Sequence, residues 1–201
     1  MNAQAQHPRQ HISILVSAKD VSKAVERVAG QIAPEIAGDA DVTGTQMVTI
    51  MLGGLWFSTA LQRSPLLDGH IAREHRVRAQ RTMRDGKLGP VRIAPEFEER
   101  VLPELANAPV LLVDDILDEG KTLQALAGLI APVASSLQTA VLIRRTRPEG
   151  HAIEPDYVGL ETDEAGWLVG CGMDSEGRYR DLPYIGIRGI QTISGAKDQP
   201  E

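Results

Sequence analysis

The sequence predicts an α/β fold, a mostly parallel sheet flanked by helices, and three stretches predict it. The β-branched run MVTIML (47–52) ends at Gly53-Gly54 and passes into LWFSTALQ, which can start a helix. PVLLVDDILDEGKTLQALAGLI (109–130) reads as apolar strand, acidic and glycine turn, then amphipathic helix. SLQTAVLIRRT (136–146) is a further strand after a small-residue turn. Strand, turn and helix repeated along a chain form the unit of a parallel sheet with crossovers.

The elements follow in order. A chain of 201 residues suits one domain with a real core, placed at 12–193. The polar ends, 1–11 and 194–201, are expected to be disordered. From Asp20 the residues Val21, Ala24, Val25, Val28, Ala29 and Ile32 recur at helical spacing, with Asp20 or Ser22 as cap and an end before Pro34. Residues 70–90 break the pattern: HIAREHRVRAQRTMRDGKLG is basic and polar, either a hairpin turning at Asp85-Gly86-Lys87 or a mobile loop. VRIAP (91–95) is a possible short strand before the acidic EFEER. DYVGLET (156–162) and WLVGCGM (167–173) are short apolar runs punctuated by glycine.

Composition narrows the function. The chain is 42% hydrophobic and carries 21 basic against 27 acidic residues, a net charge of −6, which argues against a general nucleic-acid binder. Aromatic residues at 3% are too few for single-strand stacking platforms. The single Cys171 has no partner for an internal disulfide, which fits a reducing compartment. No apolar run reaches the roughly 18 residues of a membrane helix, and MNAQAQHPRQH has no apolar core of a signal peptide. The expectation is a cytoplasmic protein without a membrane partner.

The chemistry concentrates in VLLVDDILDEGKTL (110–123). A buried strand ends in Asp114 and Asp115, and Asp118, Glu119, Gly120, Lys121 and Thr122 lead into a helix. Ligands of open α/β sheets sit at the carboxyl ends of strands. The first turn of the next helix offers free N–H groups and a positive dipole end, which suit a phosphate. Gly120 lets the backbone come close, and Thr122 adds a hydroxyl. Asp114 and Asp115 would face the hydroxyls of the phosphate-bearing molecule or a hard cation; otherwise these acids cap a helix and face water.

The stretch resembles the phosphoribosyl-diphosphate (PRPP) motif of type I phosphoribosyltransferases: apolar strand, two acids, two apolar residues, then Asp-Thr-Gly-x-Thr. MLGGLWF (51–57) resembles the Lys-Gly-Gly segment of the hypoxanthine-guanine branch. PDYVGLET, WLVGCGMD and RYRDLPYIGI, within 155–187, are similar to its C-terminal half. The resemblance covers about Ser22 to Ile190. It implies a hood built from both chain ends, a flexible flap at about 70–90, and a homodimer or homotetramer. The implied reaction joins a 6-oxopurine (hypoxanthine or guanine, with xanthine a further candidate) to PRPP with Mg2+, releasing pyrophosphate. By the same match, Asp118 is the general base near N7 and residues 118–122 hold the 5′-phosphate. Asp114 and Asp115 hold the ribose hydroxyls and metal, and Asp174 binds a second Mg2+. Trp167 lies against the purine face, Leu168 offers backbone groups to its edge, and Arg180, Leu52 and Gly53 meet pyrophosphate.

Four positions depart from the branch. Leu52 stands where Lys is frequent, and Glu119 where Thr is usual. The base-contacting Lys aligns best with Arg145, or with Arg144 after a one-residue shift. No Ser-Tyr pair marks the flap; it carries Arg73, Arg76, Arg78, Arg81 and Arg84. These arginines could clamp pyrophosphate, satisfy acids, or simply be solvated. Two alternatives stay open: transfer to a different or modified base, and a regulator that binds PRPP or nucleotide without turnover.

Overall fold

A computed structural model of the protein describes residues 12–38, 44–84 and 87–189. The polar ends 1–11 and 194–201 and the expected Asp85-Gly86 turn lie outside the described residues. In chain order the elements are β1 (Ile12–Val16), α1 (Ala18–Gly38), β2 (Thr45–Met51), α2 (Leu55–Gln62), β3 (Ile71–Arg84) and β4 (Lys87–Ile93). A π-helical turn (Phe97–Val101) then runs into α3 (Leu102–Glu104), followed by β5 (Pro109–Leu117), α4 (Lys121–Ile130) and β6 (Ser136–Arg145). The chain closes with β7 (Tyr157–Thr162), β8 (Trp167–Val169) and β9 (Ile185–Arg188).

Six strands form the main sheet in the order β4-β3-β2-β5-β6-β7. β2, β3, β5, β6 and β7 run parallel, and β4 closes one edge antiparallel. Strands covered on both faces bury nearly all their residues, and β5 is buried from Pro109 to Asp114. Leu111 and Val113 pack with Val25, Phe57 and Leu61 of α1 and α2. Val110 and Leu112 pack with Leu123, Leu126 and Ile130 of α4 on the other face. A second sheet, β1-β9-β8, joins the two ends of the chain as the hood, with Ile12 opposite Arg188.

Two local expectations change, and one open alternative resolves in favour of the hairpin. Ser17, not Asp20 or Ser22, caps α1: its Oγ accepts from the Asp20 N–H at 3.2 Å and donates to the Asp20 carboxylate at 2.7 Å. α1 does not stop before Pro34 but runs through it to Gly38. Ile36 extends the buried stripe beyond the proline. Its burial, about 1.5–3 kcal/mol, offsets most of the ~3 kcal/mol that an interior proline costs. Finally, the basic 70–90 stretch holds two strands. His75, Val77 and Ala79 are buried and alternate with Arg76, Arg78 and Gln80, so a strand period of two hides beneath the charges. β3 pairs parallel with β2 from Thr45↔Ile71 to Met51↔Arg78, then continues past the sheet as one arm of a hairpin with β4.

Candidate active site

The carboxyl ends of β2, β5 and β6 open into one cleft, where the crossover topology places ligands. At the end of β5, the Asp114 Oδ1 accepts from the Asp115 N–H and the Asp115 Oδ1 from the Ile116 N–H, each at 2.9 Å. Burial pushes the Asp114 carboxyl well above the usual carboxylate range, and the neighbouring Asp115 charge adds to it. Burial also raises Asp115, opposed by its hydrogen bonds and by Arg180.

The turn after β2 lies directly on this pair. A Cβ at Gly53 would sit 1.8 Å from Asp115 Oδ2. On the opposite side, a Cβ at Gly172 would sit 2.0 Å from the Gly53 carbonyl oxygen, and Gly172 has a φ of +99°. Three segments distant in sequence therefore stack without intervening side chains, and the Met51–Leu52 peptide bond at the edge of this stack is cis.

Beyond the acids, Gly120 takes a φ of +78° and starts α4, which leaves the first N–H groups of that helix free to face a ligand. Asp114, Asp115, Asp118, Glu119, Gly120, Lys121 and Thr122 line one cavity of about 440 Å³ together with Gly53, Trp167 and Arg81 of β3. Asp118 is ion-paired with Arg147 at 2.5 Å, and Arg145 Nε lies 3.8 Å from the same oxygen. Glu119 pairs with Arg81 at 2.5 Å and Lys121 at 2.8 Å. Lys121 and Arg81 hold its carboxyl below the usual range.

A second cavity of about 220 Å³ opens from the first between Asp115, Asp118, Arg145, Trp167, Leu168 and Asp174. Strand alternation assigns the two arginines. Arg145 turns into this cavity, donating through Nη2 to the Gly166 carbonyl at 3.2 Å while its buried Nε makes no hydrogen bond. Arg144 turns away to Glu154 at 2.8 Å and Glu161 at 2.5 Å. Trp167 is 63% exposed, and its Nε1 donates to the Asp174 carbonyl at 2.7 Å, so it is neither a core nor a free side chain. Leu168 buries its side chain in the core. Asp174 accepts from the Gly177 N–H and pairs with Arg180, both at 2.6 Å, and Arg180 also donates to the Gly172 carbonyl at 2.5 Å.

A third cavity, about 400 Å³, adjoins Leu52 and is ringed by Arg78, Arg92 and Arg180 with Gln80. The hairpin arginines divide accordingly. Arg73 pairs with Glu104, Arg76 with Glu74 and Arg81 with Glu119, whereas Arg78 faces this cavity. A further cavity, about 650 Å³, lies between α1 and α2, is mainly apolar and contains neither acid of the pair.

The cleft thus collects Gly53, Asp114, Asp115, Asp118–Thr122, Arg145, Trp167, Leu168 and Asp174, with Leu52 and Arg180 at its adjoining compartment. Arg147, Arg92 and Gly172 were not singled out by the sequence reading. Arg147 had a signal, since it stands two residues beyond Arg145, the strand spacing that returns to the same side; the other two are recognised through contacts between distant segments.

The phosphoribosyl transferase domain family matches residues 17–176. The hypoxanthine-guanine phosphoribosyltransferase of Streptococcus pneumoniae (strain ATCC BAA-255 / R6) is 29% identical over 177 residues, spanning 87% of this chain and 91% of the relative. The enzyme of the same name from Mycobacterium avium is 27% identical over 183 residues, spanning 90% of this chain and 87% of the relative. Hypoxanthine phosphoribosyltransferase from Trypanosoma cruzi, in complex with the product IMP, shares the fold with a TM-score of 0.75 at 22% identity, over 94% of this chain and 100% of that one.

Proposed function

The chain belongs to the phosphoribosyl transferase domain family, and we propose that it transfers phosphoribose from PRPP to a 6-oxopurine, hypoxanthine or guanine with xanthine as a third candidate, in purine salvage. The two relatives named hypoxanthine-guanine phosphoribosyltransferase support the acceptor class. The observation that carries the reading is the shared cleft: an acid pair ending β5, the glycine-opened start of α4, and a side compartment holding Asp118, Arg145 and Trp167.

In this reading N9 of the base attacks C1 of PRPP, the C1–O bond to the diphosphate breaks, and its electron pair leaves with pyrophosphate. The base rests against Trp167, with the Leu168 backbone at its edge and the Arg145 guanidinium beside the 6-oxo group. Asp118, held by Arg147, takes the N7 proton. The negative charge of Asp114 and Asp115 favours the cation-like ribose of the transition state. The first turn of α4, with Lys121 and Thr122, receives the 5′-phosphate. Arg180, Arg78 and Arg92 surround the diphosphate beside Leu52 and Gly53, where cations suit phosphate oxygens.

Mg2+ fits this chain. Two adjacent buried carboxylates with raised proton affinity, whose shift Arg180 opposes only at Asp115, are hard oxygen donors. The described residues contain no group of three or more metal-ligating side chains, so a bound ion would draw the rest of its shell from water and substrate oxygens, as Mg2+ commonly does. Asp114 and Asp115 would hold it, with Asp174 at a second ion, and it would neutralise charge on the leaving diphosphate.

The remaining expectations complete the reading: one domain over 12–193, a flap at about 70–90 that closes over the diphosphate, and a homodimer or homotetramer in the cytoplasm. The apolar groove beside exposed Leu52 supports self-association, and the buried thiol of Cys171 suits a reducing compartment. No helix among the described residues is long and apolar enough to cross a membrane.

The test mixes protein, PRPP and Mg2+ with hypoxanthine, guanine, xanthine or adenine and follows nucleotide formation, beside an Asp118→Asn control. Turnover with a 6-oxopurine, lowered about 10²–10⁴-fold in the control, is expected. A second reading, transfer to a different acceptor, is favoured by Arg145: its forked guanidinium presents donors a lysine would not. Turnover with none of the four bases, alongside retained PRPP binding, overturns the first reading for the second or for binding without catalysis.

A further inference from the structure

We propose that Arg81, brought to the cleft by the β3–β4 hairpin, is a positioning residue that cancels the charge of Glu119 and so makes the α4 loop receptive to a phosphate dianion. The proposal rests on reading this cavity as a phosphosugar site. Arg81 and Glu119 stand 38 residues apart and both line it, yet Arg81 Nη1 and Glu119 Oε2 meet at 2.5 Å.

The pair is unusual among the ion pairs of the hairpin. Arg81 is 13% exposed and Glu119 30%, whereas Arg73 and Arg76 lie mostly in solvent. The Arg81 Nε also donates to the Gly89 carbonyl of β4 at 2.9 Å, so the guanidinium is held from both sides. Lys121 also approaches Glu119 at 2.8 Å, but it is 54% exposed on a flexible stem, and such pairs contribute little. Arg81 is therefore the fixed counter-charge.

The chemistry requires one. Glu119 lies in the loop whose N–H groups and helix dipole attract an anion. A carboxylate left unpaired there would repel a phosphate within about 6 Å; with an effective dielectric of about 20–40, between the protein-surface and bulk-water values, each unit charge pair is equivalent to roughly ten- to hundred-fold in affinity. Paired with Arg81, the carboxylate instead ties the hairpin to the rim of the loop. Glu119 then serves as the anchor by which β3 reaches the phosphate site.

The full-length protein is titrated with ribose 5-phosphate by calorimetry, and the KM for PRPP and kcat are measured alongside, for wild type, Arg81→Gln, Glu119→Gln and the double variant. Arg81→Gln is expected to weaken ribose 5-phosphate binding about ten-fold or more and to raise the KM for PRPP far more than it lowers kcat. The double variant should return to within about three-fold of wild type, because the carboxylate to be cancelled is gone. Glu119→Gln alone, with Arg81 uncompensated, should bind about ten-fold more tightly. Should Arg81→Gln fail to fold by its circular dichroism and urea midpoint, Arg81→Lys keeps the charge and should bind within about three-fold of wild type. The proposal is overturned by unchanged binding in Arg81→Gln, by a double variant as weak as Arg81→Gln, or by an Arg81→Lys that loses binding. A wild-type protein that does not bind ribose 5-phosphate overturns it as well. Binding that follows the expected order without nucleotide formation leaves it standing and overturns only the transfer reading.

Discussion

Replacing Gly172 by alanine should damage stability and catalysis together. The backbone at Gly172 has a φ of +99°, and a Cβ built there lies 2.0 Å from the Gly53 carbonyl oxygen and 3.1 Å from Trp56 Cβ. Real Cβ contacts essentially never fall under 3.0 Å, so one segment must retreat by about 1 Å. Gly53 has no room to take up the shift, because it is already packed on the Asp115 carboxylate. The left-handed backbone adds ~1–2 kcal/mol for any residue with a Cβ, and the overlap adds ~1–3 kcal/mol. The expected loss is ~2–5 kcal/mol, a large share of a typical 5–15 kcal/mol but short of unfolding. The same 1 Å shift moves the turn proposed to meet the diphosphate, and a misplacement of that size costs about 10²-fold in rate. Urea unfolding followed by circular dichroism gives the first quantity, and kcat/KM for PRPP the second. Gly69→Ala is the control: its φ is +73° but nothing lies within 4 Å of its Cβ, so only the backbone cost of ~1 kcal/mol should appear. A Gly172→Ala protein with wild-type kcat/KM and a stability loss no greater than the control would refute the argument that this stack positions the site.

Other outcomes follow from individual contacts. Arg145→Leu should raise the KM for the purine at least about ten-fold, whereas Arg144→Leu, whose side chain turns away to Glu154 and Glu161, should change it less than about two-fold; steady-state kinetics with varied base separates them. Arg78→Ala/Arg92→Ala should raise the KM for PRPP about ten-fold or more, and adding Leu52→Lys should recover part of the loss, because the cavity would regain a cation. Burial pushes the Cys171 thiol up to about 12. Its folded form keeps the proton that the unfolded chain loses near pH 9, so this contribution is complete below pH 9 and disappears as pH rises toward 12. The stability difference between wild type and Cys171→Ala should accordingly shift against wild type by up to ~1.4 kcal/mol per pH unit across that window; a constant difference from pH 8 to 11 would contradict the burial argument.

Much of the fold is legible because the parallel strands bury both faces. The runs 47–52, 109–117 and 136–145 are mostly apolar, and their charges, Asp114, Asp115, Arg144 and Arg145, fall only toward the carboxyl ends. β3 is harder to read for the opposite reason. Only one of its faces is covered, and the other carries Arg76, Arg78 and Gln80, so its mean polarity outweighs its alternation. Pro34 misleads because local propensity argues for a stop, while the burial of Ile36, a tertiary event, keeps the helix going.

The candidate site divides along the same line between local and distant information. Asp114, Asp115, Gly120 and Thr122 are recognisable in sequence because their geometry arises within one strand, one turn and one helix start. What tunes them comes from elsewhere. Asp118 is met by Arg147 across 29 residues and Glu119 by Arg81 across 38. The choice between Arg144 and Arg145 depends on strand register: β6 places Arg144 opposite Glu161 of β7. That acid and Glu154 take Arg144 away from the cleft, leaving Arg145 to face the compartment proposed for the acceptor. On the proposed reading, the motif specifies where a phosphosugar can sit, while acceptor selectivity and the charge balance of the phosphate loop reside in arginines whose placement emerges only from the sheet. A change in acceptor preference should therefore come more readily from Arg145 than from any residue of the acidic motif.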